Sequence, residues 1–273
     1  MPNASLSSHP DLTLPALSSL WESTLGWQPS QAQQALFQRL LGQMYDLNQN
    51  VNLTRITDPE AFWEKHLWDS LWGIQPWLAG STKRREVEHA EAEEVALQTL
   101  RAVDIGTGGG FPGIPIAIAL PHWQVTLLDS TRKKVACLET LCQDLPLSNA
   151  APICDRAENF GQSPRDRATY DLAFVRAVGP VSCCAEYALP LLKVGGTAIL
   201  YRGQWSAEEE SVLQRALITL GGELVELRNT QTPLTQGQRH GLYLRKTQPT
   251  PPSFPRKEGL PAKYPLGTGT IPS

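Results

Sequence analysis

A run of glycines between two acidic residues, Asp104 and Asp129, is the part of this sequence best suited to bind a charged ligand. The run reads Val103-Asp-Ile-Gly-Thr-Gly-Gly-Gly-Phe-Pro-Gly113 and separates an apolar segment from an apolar helical pattern. Glycines at such a turn let the backbone approach a ligand closely, and the helix that follows directs N–H groups at an anion. Asp129 ends the next predicted strand, 23 residues after Gly106. The spacing predicts a nucleotide-like ligand at this turn.

The two acids help to distinguish between ligands that use such a turn. Gly108-x-Gly110-x-x-Gly113 matches the dinucleotide fingerprint, but that match alone is weak. Asp104, beside the first glycine, would repel a diphosphate and attract the sulfonium and ammonium groups of S-adenosylmethionine. Asp129 could accept hydrogen bonds from both ribose hydroxyls, a role that acids also have in NAD sites. The pattern favours S-adenosylmethionine over NAD, and glycines that serve only a tight turn are the third alternative.

Two later strand ends bring further candidate residues to the same edge of the sheet, where open parallel sheets bind their ligands. Ala157 and Glu158 follow the third predicted strand and could flank an adenine ring. Arg176 ends the fourth predicted strand, near the expected reacting centre. The plainer alternatives are a solvated acid for Glu158 and a structural ion pair for Arg176.

The residues near the fourth strand restrict the kind of methyl acceptor. The Asn/Asp-Pro-Pro-aromatic turn used for exocyclic amines is replaced by Arg176-Ala177-Val178. Cys183 and Cys184 lie in an apolar helical pattern without a preceding Pro-Cys, which indicates core residues rather than a nucleophile. Guanine N7 needs neither a base nor a nucleophile, because it has a lone pair and no proton. The sequence is consistent with that acceptor, for which alignment and exclusion of water would suffice.

The elements that must position these residues follow from the hydrophobic pattern. From residue 100 onward strands alternate with helices, which predicts an α/β fold with a mostly parallel sheet. No helical pattern separates the last two strands, so we expect them to pair antiparallel. The predicted strands lie near 102–105, 125–129, 151–154, 171–176, 197–202, 223–228 and 241–246, and the helices near 114–120, 131–145, 181–192 and 206–220.

Before residue 80 the pattern predicts helices. Ser30 and Gln33 form a capping-box pattern, and Asp58 or Thr57 can cap a second helix that begins at Pro59. We therefore predict four parts. They are an N-terminal helical subdomain over 1–80, a charged insert or linker over 81–99, the α/β domain over 100–248 and a basic Pro-rich tail over 249–273.

Composition and charge are those of a globular protein with a basic end. The 273 residues are 41% hydrophobic and carry a net charge of −3. The segment from Arg239 onward contributes +5 and the rest −8, so the end could meet phosphates. The Pro-rich tail predicts either disorder or a semi-rigid arm that touches RNA. Five cysteines without CxxC spacing predict reduced thiols and no zinc site, and no signal peptide or membrane span is apparent, so we expect a cytoplasmic protein.

Five segments of the sequence together match the pattern of one protein family. They are Asn52-Leu-Thr54, Lys65-His-Leu-Trp-Asp-Ser70, Asp104 to Gly113, Leu127-Leu-Asp-Ser130 and Arg176-Ala177. In combination they closely resemble the RsmG (GidB) family of 16S ribosomal RNA guanine-N7 methyltransferases, and the resemblance covers about residues 30–265. It implies a class I methyltransferase fold with a seven-stranded Rossmann-like sheet, S-adenosylmethionine as donor and a guanine of 16S rRNA in the small ribosomal subunit as acceptor.

The resemblance also implies site residues. The family's donor-binding positions fall on Gly106, Phe111, Ala157, Glu158 and Arg176, with Asp129 as the ribose-binding acid, and the turn itself adds Asp104 and Gly108. Arg176 is the expected catalytic residue, through positioning and without a general base. The candidates for contact with RNA are Lys65, His66, Arg202, Arg256, Lys257 and Lys263.

For two of these candidates, Arg202 and His66, the sequence also allows a role other than contact with RNA. Arg202-Gly203 stands where the family often has Lys-Gly, and arginine differs from lysine in reach and geometry. His66 could equally be a packed core histidine. The alternative functions are a methyltransferase for a small molecule or protein, a non-catalytic ribosome-binding module and an NAD-dependent oxidoreductase.

Overall fold

The computed structural model describes residues 12–82 and 99–269, and residues 79–82 by their backbone alone. Seven strands form one sheet in the order β3-β2-β1-β4-β5-β7-β6. The strands are β1 (Arg101–Ile105), β2 (Gln124–Asp129), β3 (Ala150–Cys154), β4 (Tyr170–Arg176), β5 (Leu192–Arg202), β6 (Gly222–Gln231) and β7 (Gln238–Lys246).

The pairing of the strands confirms the predicted sheet. Strands β1 to β5 pair in parallel, whereas β7 runs antiparallel to both β5 and β6. Strand order reverses at β1, which lies between β2 and β4. Ligands of open α/β sheets bind outside the carboxyl ends of the strands at this switch point. The glycine turn that follows β1 lies there.

Helices cover the sheet and precede it. The N-terminal ones are α1 (Ser18–Leu25), α2 (Gln31–Asn48), α3 (Pro59–Phe62), a π-helical stretch (Trp63–Trp68), α4 (Asp69–Trp72) and α5 (Gln75–Thr82). The others are α6 (Gly113–Ala119), α7 (Arg132–Asp144), α8 (Ala157–Gln162), α9 (Val181–Ala188), α10 (Ala207–Leu220) and α11 (Leu260–Lys263).

The predicted helix starts are confirmed at both N-terminal caps. The Ser30 side chain accepts from the Gln33 amide and the Gln33 side chain accepts from the Ser30 amide, a capping box. Asp58 caps α3 by accepting from the Ala61 amide. The sequence did not predict the π-helical stretch from Trp63 to Trp68, a rare geometry that is frequent at functional sites.

Alternate residues of each strand build two hydrophobic cores, one on each face of the sheet. Leu127 and Phe174 point into a core that also contains the N-terminal helices, α6 and part of α7. Leu128 and Val175 point to the opposite core, against α9 and α10. The N-terminal helices thus share their core with the sheet.

The C-terminal segment packs against the protein as far as residue 269, contrary to disorder, which was one of the two alternatives predicted for it. Residues Leu260–Lys263 form α11, and Phe254 and Leu266 pack against the second core. Proline excludes long regular elements but not packing, because each of its carbonyl groups can still accept a hydrogen bond. Of the charged insert predicted over 81–99, residues 83–98 lie outside the described residues. Within 12–82 and 99–269, no helix is long and apolar enough to span a membrane.

Candidate active site

The glycine turn after β1 has a backbone that side chains would not permit. Gly106 has φ 69°, in the left-handed region, and a Cβ there would lie 2.7 Å from Cγ2 of Val178. At Gly113 a Cβ would meet the side chains of Leu127 and Asp104. Glycine is therefore required at both positions for the turn to pack closely against its neighbours.

Asp104 stabilises this turn through hydrogen bonds to its side chain. Its Oδ2 accepts hydrogen bonds from the hydroxyl of Thr107 at 2.6 Å and the amide of Gly113 at 2.8 Å. Burial, which disfavours the charged form, raises the pKa of Asp104 to about 6. The carboxyl group is only 1% exposed and does not line the cleft at the sheet edge. The sequence suggested an acid that faces the ligand, whereas in this structure Asp104 shapes the turn.

Asp129, at the end of β2, does line that cleft. Its Oδ2 accepts from the Gly108 amide at 2.9 Å and its Oδ1 from the Thr131 amide at 2.8 Å. Each carboxylate oxygen has a second lone pair, so Asp129 can still accept from two further hydroxyl groups. The glycine turn and the acid are thereby joined into one rigid unit.

The cleft extends from the glycine turn to the start of α8 and is open to solvent on one side. Both apolar and charged residues line it, which suits a flat ring that carries polar groups. Its lining includes Ile105, Gly106, Asp129, Ala157, Glu158 and Val178.

Glu158 is a buried acid, not the solvated acid offered as an alternative. The side chain is 3% exposed and accepts hydrogen bonds from Arg156, from Tyr187 Oη at 3.3 Å and from the Gly259 amide at 3.0 Å. Burial opposes ionisation, but the bonds from Arg156 and Gly259 outweigh it and hold the pKa of Glu158 below its ordinary value. Sequence reasoning missed Tyr187 and Gly259, which no local pattern marks as partners.

Arg176 lies at the end of β4 and is held by the π-helical stretch. Its Nη1 donates to the backbone oxygen of Lys65 at 3.0 Å and to Oδ2 of Asp69 at 3.2 Å. The guanidinium lies 5.8 Å from the centroid of the Phe111 ring. Asp69 also accepts from Arg239 at 2.7 Å. Arg176 therefore has both predicted features, a place at the ligand edge and a structural ion pair.

His66 and Phe111 form a stacked pair behind the glycine turn. Their ring centroids lie 4.0 Å apart with an interplanar angle of 7°, and His66 Nε2 lies 2.7 Å from the Thr54 hydroxyl. Burial, together with Arg176, lowers the pKa of His66 to about 3, so the ring is neutral. At 7% exposure His66 is a core residue, which favours the alternative of a packed core histidine over contact with RNA. Phe111 is 4% exposed and supports the turn from the core.

The remaining basic candidates fall into two groups. Arg202 donates to the Gly179 carbonyl and pairs with Glu209 at 2.7 Å, and Arg256 pairs with the buried carboxylate of Glu186. The guanidinium of Arg256 thus serves the fold, and this contact does not favour a role for it at an RNA-facing surface. The other three have exposed or half-exposed side chains, and contact with RNA stays a prediction for them: Lys65, Lys257 and Lys263.

The cysteines near β4 are core residues, as predicted. Cys183 is 1% and Cys184 3% exposed, and burial raises the pKa values of their thiols to about 11 and about 12. Both thiols are protonated at neutral pH and are poor nucleophiles. Among the described residues, no three His, Cys, Asp or Glu side chains are grouped to hold a metal ion.

The sheet order, the antiparallel β7 and the glycine turn with its acid define a class I methyltransferase, whose methyl donor is S-adenosylmethionine. Residues 33–240 match the family described as rRNA small subunit methyltransferase G (GidB), and the chain belongs to this family.

Two relatives align with nearly the whole of this chain. The ribosomal RNA small subunit methyltransferase G of Trichormus variabilis is 47% identical over 93% of this chain and 98% of its own. The protein of the same name from Synechococcus elongatus is 51% identical over 90% and 96%. Among solved structures, TrmN from Thermus thermophilus matches 59% of this chain and 50% of its own, with a TM-score of 0.42 and 20% identity.

Proposed function

We propose that this protein transfers a methyl group from S-adenosylmethionine to N7 of a guanine in 16S rRNA of the small ribosomal subunit, in the cytoplasm. The observation that carries the proposal is the match of residues 33–240 to the rRNA small subunit methyltransferase G family. The choice of guanine N7 follows the sequence resemblance and the chemistry of the residues near the cleft.

The residues that line the cleft support an adenosyl ligand. Asp129 has acceptor positions left for the two ribose hydroxyls, and Ala157 and Glu158 would flank the adenine. Gly106, which also lines the cleft, would lie beside the methionine part at the end of β1. When bound, S-adenosylmethionine supplies an electrophilic methyl carbon on a sulfonium ion.

The titratable groups near the end of β4 suit an acceptor that needs no proton removed. His66 is neutral but buried, Cys183 and Cys184 are protonated, and Arg176 does not act as a base at neutral pH. Guanine N7 offers its own lone pair. The protein then contributes alignment of the acceptor with the methyl carbon, and exclusion of water. Arg176, fixed by Asp69, would position the RNA at this edge.

The direct test is to incubate the protein with isotope-labelled S-adenosylmethionine and small subunits from cells that lack the modification. We expect label at N7 of one guanine of 16S rRNA. Label at another atom, or only on a protein or small molecule from the same extract, would contradict the proposal. Naked 16S rRNA, assayed in parallel, would show whether the assembled subunit is the substrate.

A further inference from the structure

Residues 247–269, here named the C-terminal strap, are joined to the methyltransferase core by side chains that bind strap carbonyl groups. Arg167 donates to the carbonyl of Phe254 at 2.6 Å and to that of Thr250 at 2.8 Å. Gln162, at the end of α8, donates to the carbonyl of Pro255 at 2.8 Å. These bonds hold the first half of the strap against the element that forms one wall of the cleft.

A buried ion pair fixes the middle of the strap. Arg256 donates from Nε to Oε1 of Glu186 at 2.9 Å and from Nη2 to Oε2 at 2.7 Å. Glu186 lies on α9 and is fully buried, and Nη2 of Arg256 also donates to the carbonyl of Tyr264. A buried carboxylate needs such a partner, so the position of Arg256 is strongly determined.

Beyond Arg256 the strap reaches the cleft itself. The amide of Gly259 donates to Oε1 of Glu158 at 3.0 Å, and Glu258 pairs with Nε of Arg156 at 3.1 Å. Arg156 and Glu158 both line the cleft. Gly259 has φ 77°, the left-handed conformation that aims its amide at the carboxylate. The strap therefore supplies one of the hydrogen bonds that orient Glu158.

We propose that the strap is part of the donor-binding apparatus, with Arg256 and Gly259 as positioning residues. They fix Glu158 and Arg156, and the strap thereby sets the affinity for the adenosyl group of S-adenosylmethionine. This inference rests on the proposed function, because it concerns the same cleft. On this proposal Arg256 and Gly259, in the middle of the basic tail, serve donor binding rather than RNA binding.

The first test compares donor affinity by calorimetry in the full-length protein. Arg256→Ala and Gly259→Ala should each raise the Kd for S-adenosylmethionine by about tenfold, a typical coupling between a remote group and a site. The KM for small subunits should not change. Ser253→Ala, an exposed position in the same strap, is the matched control and should leave the Kd within about twofold of wild type.

Gly259→Ala is the second variant because Arg256→Ala, which leaves Glu186 without its partner, could fail to fold. A Cβ at Gly259 meets nothing within 4 Å, so the change affects only the left-handed conformation and leaves the Arg256 ion pair intact. A merely structural strap predicts a lower melting temperature with an unchanged donor Kd, which would overturn the inference. A raised KM for small subunits with an unchanged donor Kd would overturn it in favour of an RNA contact.

Hydrogen exchange gives a second readout, because coupling between two sites is reciprocal. Addition of S-adenosylmethionine should slow exchange of the Gly259 amide in the wild-type protein, and Arg256→Ala should diminish this protection. Equal exchange with and without donor would refute the inference while the proposed function stands. A wild-type protein that binds no donor would refute both.

Discussion

The carboxylate of Asp69 holds the guanidinium of Arg176 at the end of β4, although 107 residues separate them in the chain. Asp69 can do so because the π-helical stretch ends at Trp68 and brings the next residue over the edge of the sheet. The same carboxylate binds Arg239 at the start of β7. Three segments that are distant in sequence therefore determine the position of one candidate catalytic side chain.

Loss of this contact should slow methyl transfer without weakening donor binding. Asp69→Ala removes the carboxylate partner of Arg176 and Arg239, and we expect kcat to fall by about tenfold or more, since small misplacements in an active site are costly. The donor Kd should stay near wild type, because neither Asp69 nor Arg176 lines the cleft that contains Asp129. Single-turnover kinetics and calorimetry separate the two quantities. Asp171→Ala, which removes an ion pair with Lys193 at the other end of β4, is the control and should leave kcat near wild type.

Asp129 should contribute directly to donor affinity. Asp129→Ala removes the acceptor for the ribose hydroxyls and also the anchor of the Gly108 amide. Hydrogen bonds to a charged group stabilise by about 1.5–3 kcal/mol, so the Kd for S-adenosylmethionine should rise at least about tenfold. Calorimetry measures the change, with Glu223→Ala on the exposed edge strand β6 as control. An unchanged Kd for Asp129→Ala would contradict the ribose-binding role.

Asp104 should make the protein less stable as the pH rises. Its pKa is raised from an ordinary value of 3.8 to about 6 in the folded state, so the protonated form favours folding. That stabilisation is complete below pH 3.8 and is lost as the pH passes through 6. Asp104→Asn removes this titration. Its free energy of unfolding relative to wild type should improve by about 2 kcal/mol between pH 4.5 and pH 7 in urea titrations. A constant difference would show that Asp104 does not titrate there.

His66 should have the opposite effect, because its pKa is lowered from 6.5 to about 3 in the folded state. The neutral ring favours folding above pH 6.5, and this stabilisation is lost as the pH falls towards 3. At pH 5 the loss is about 2 kcal/mol. His66→Phe keeps the stacking with Phe111 but cannot titrate. The gap in unfolding free energy between wild type and variant should therefore shift by that amount between pH 8 and pH 5.

The sequence determined the elements and the centre of the site, since these depend on local pattern. The alternation of strand and helix patterns along the sequence located all seven strands. The glycines between β1 and α6 marked the turn, because its backbone favours glycine. Asp129 was found because a strand end and its distance from Gly106 are both readable from the chain.

Only the tertiary structure decided which polar groups meet. The amide of Gly259 reaches Glu158 across 101 residues, and Arg256 reaches Glu186 across 70. A sequence pattern shows charge and proline content, which predicted either disorder or a semi-rigid arm that touches RNA, but it does not show which buried carboxylate needs a partner. The sequence suggested that Asp104 faces the ligand, whereas the structure buries its side chain, which accepts a hydrogen bond from Gly113 in the turn. Such outcomes depend on packing between distant segments, and desolvation then decides the charge state.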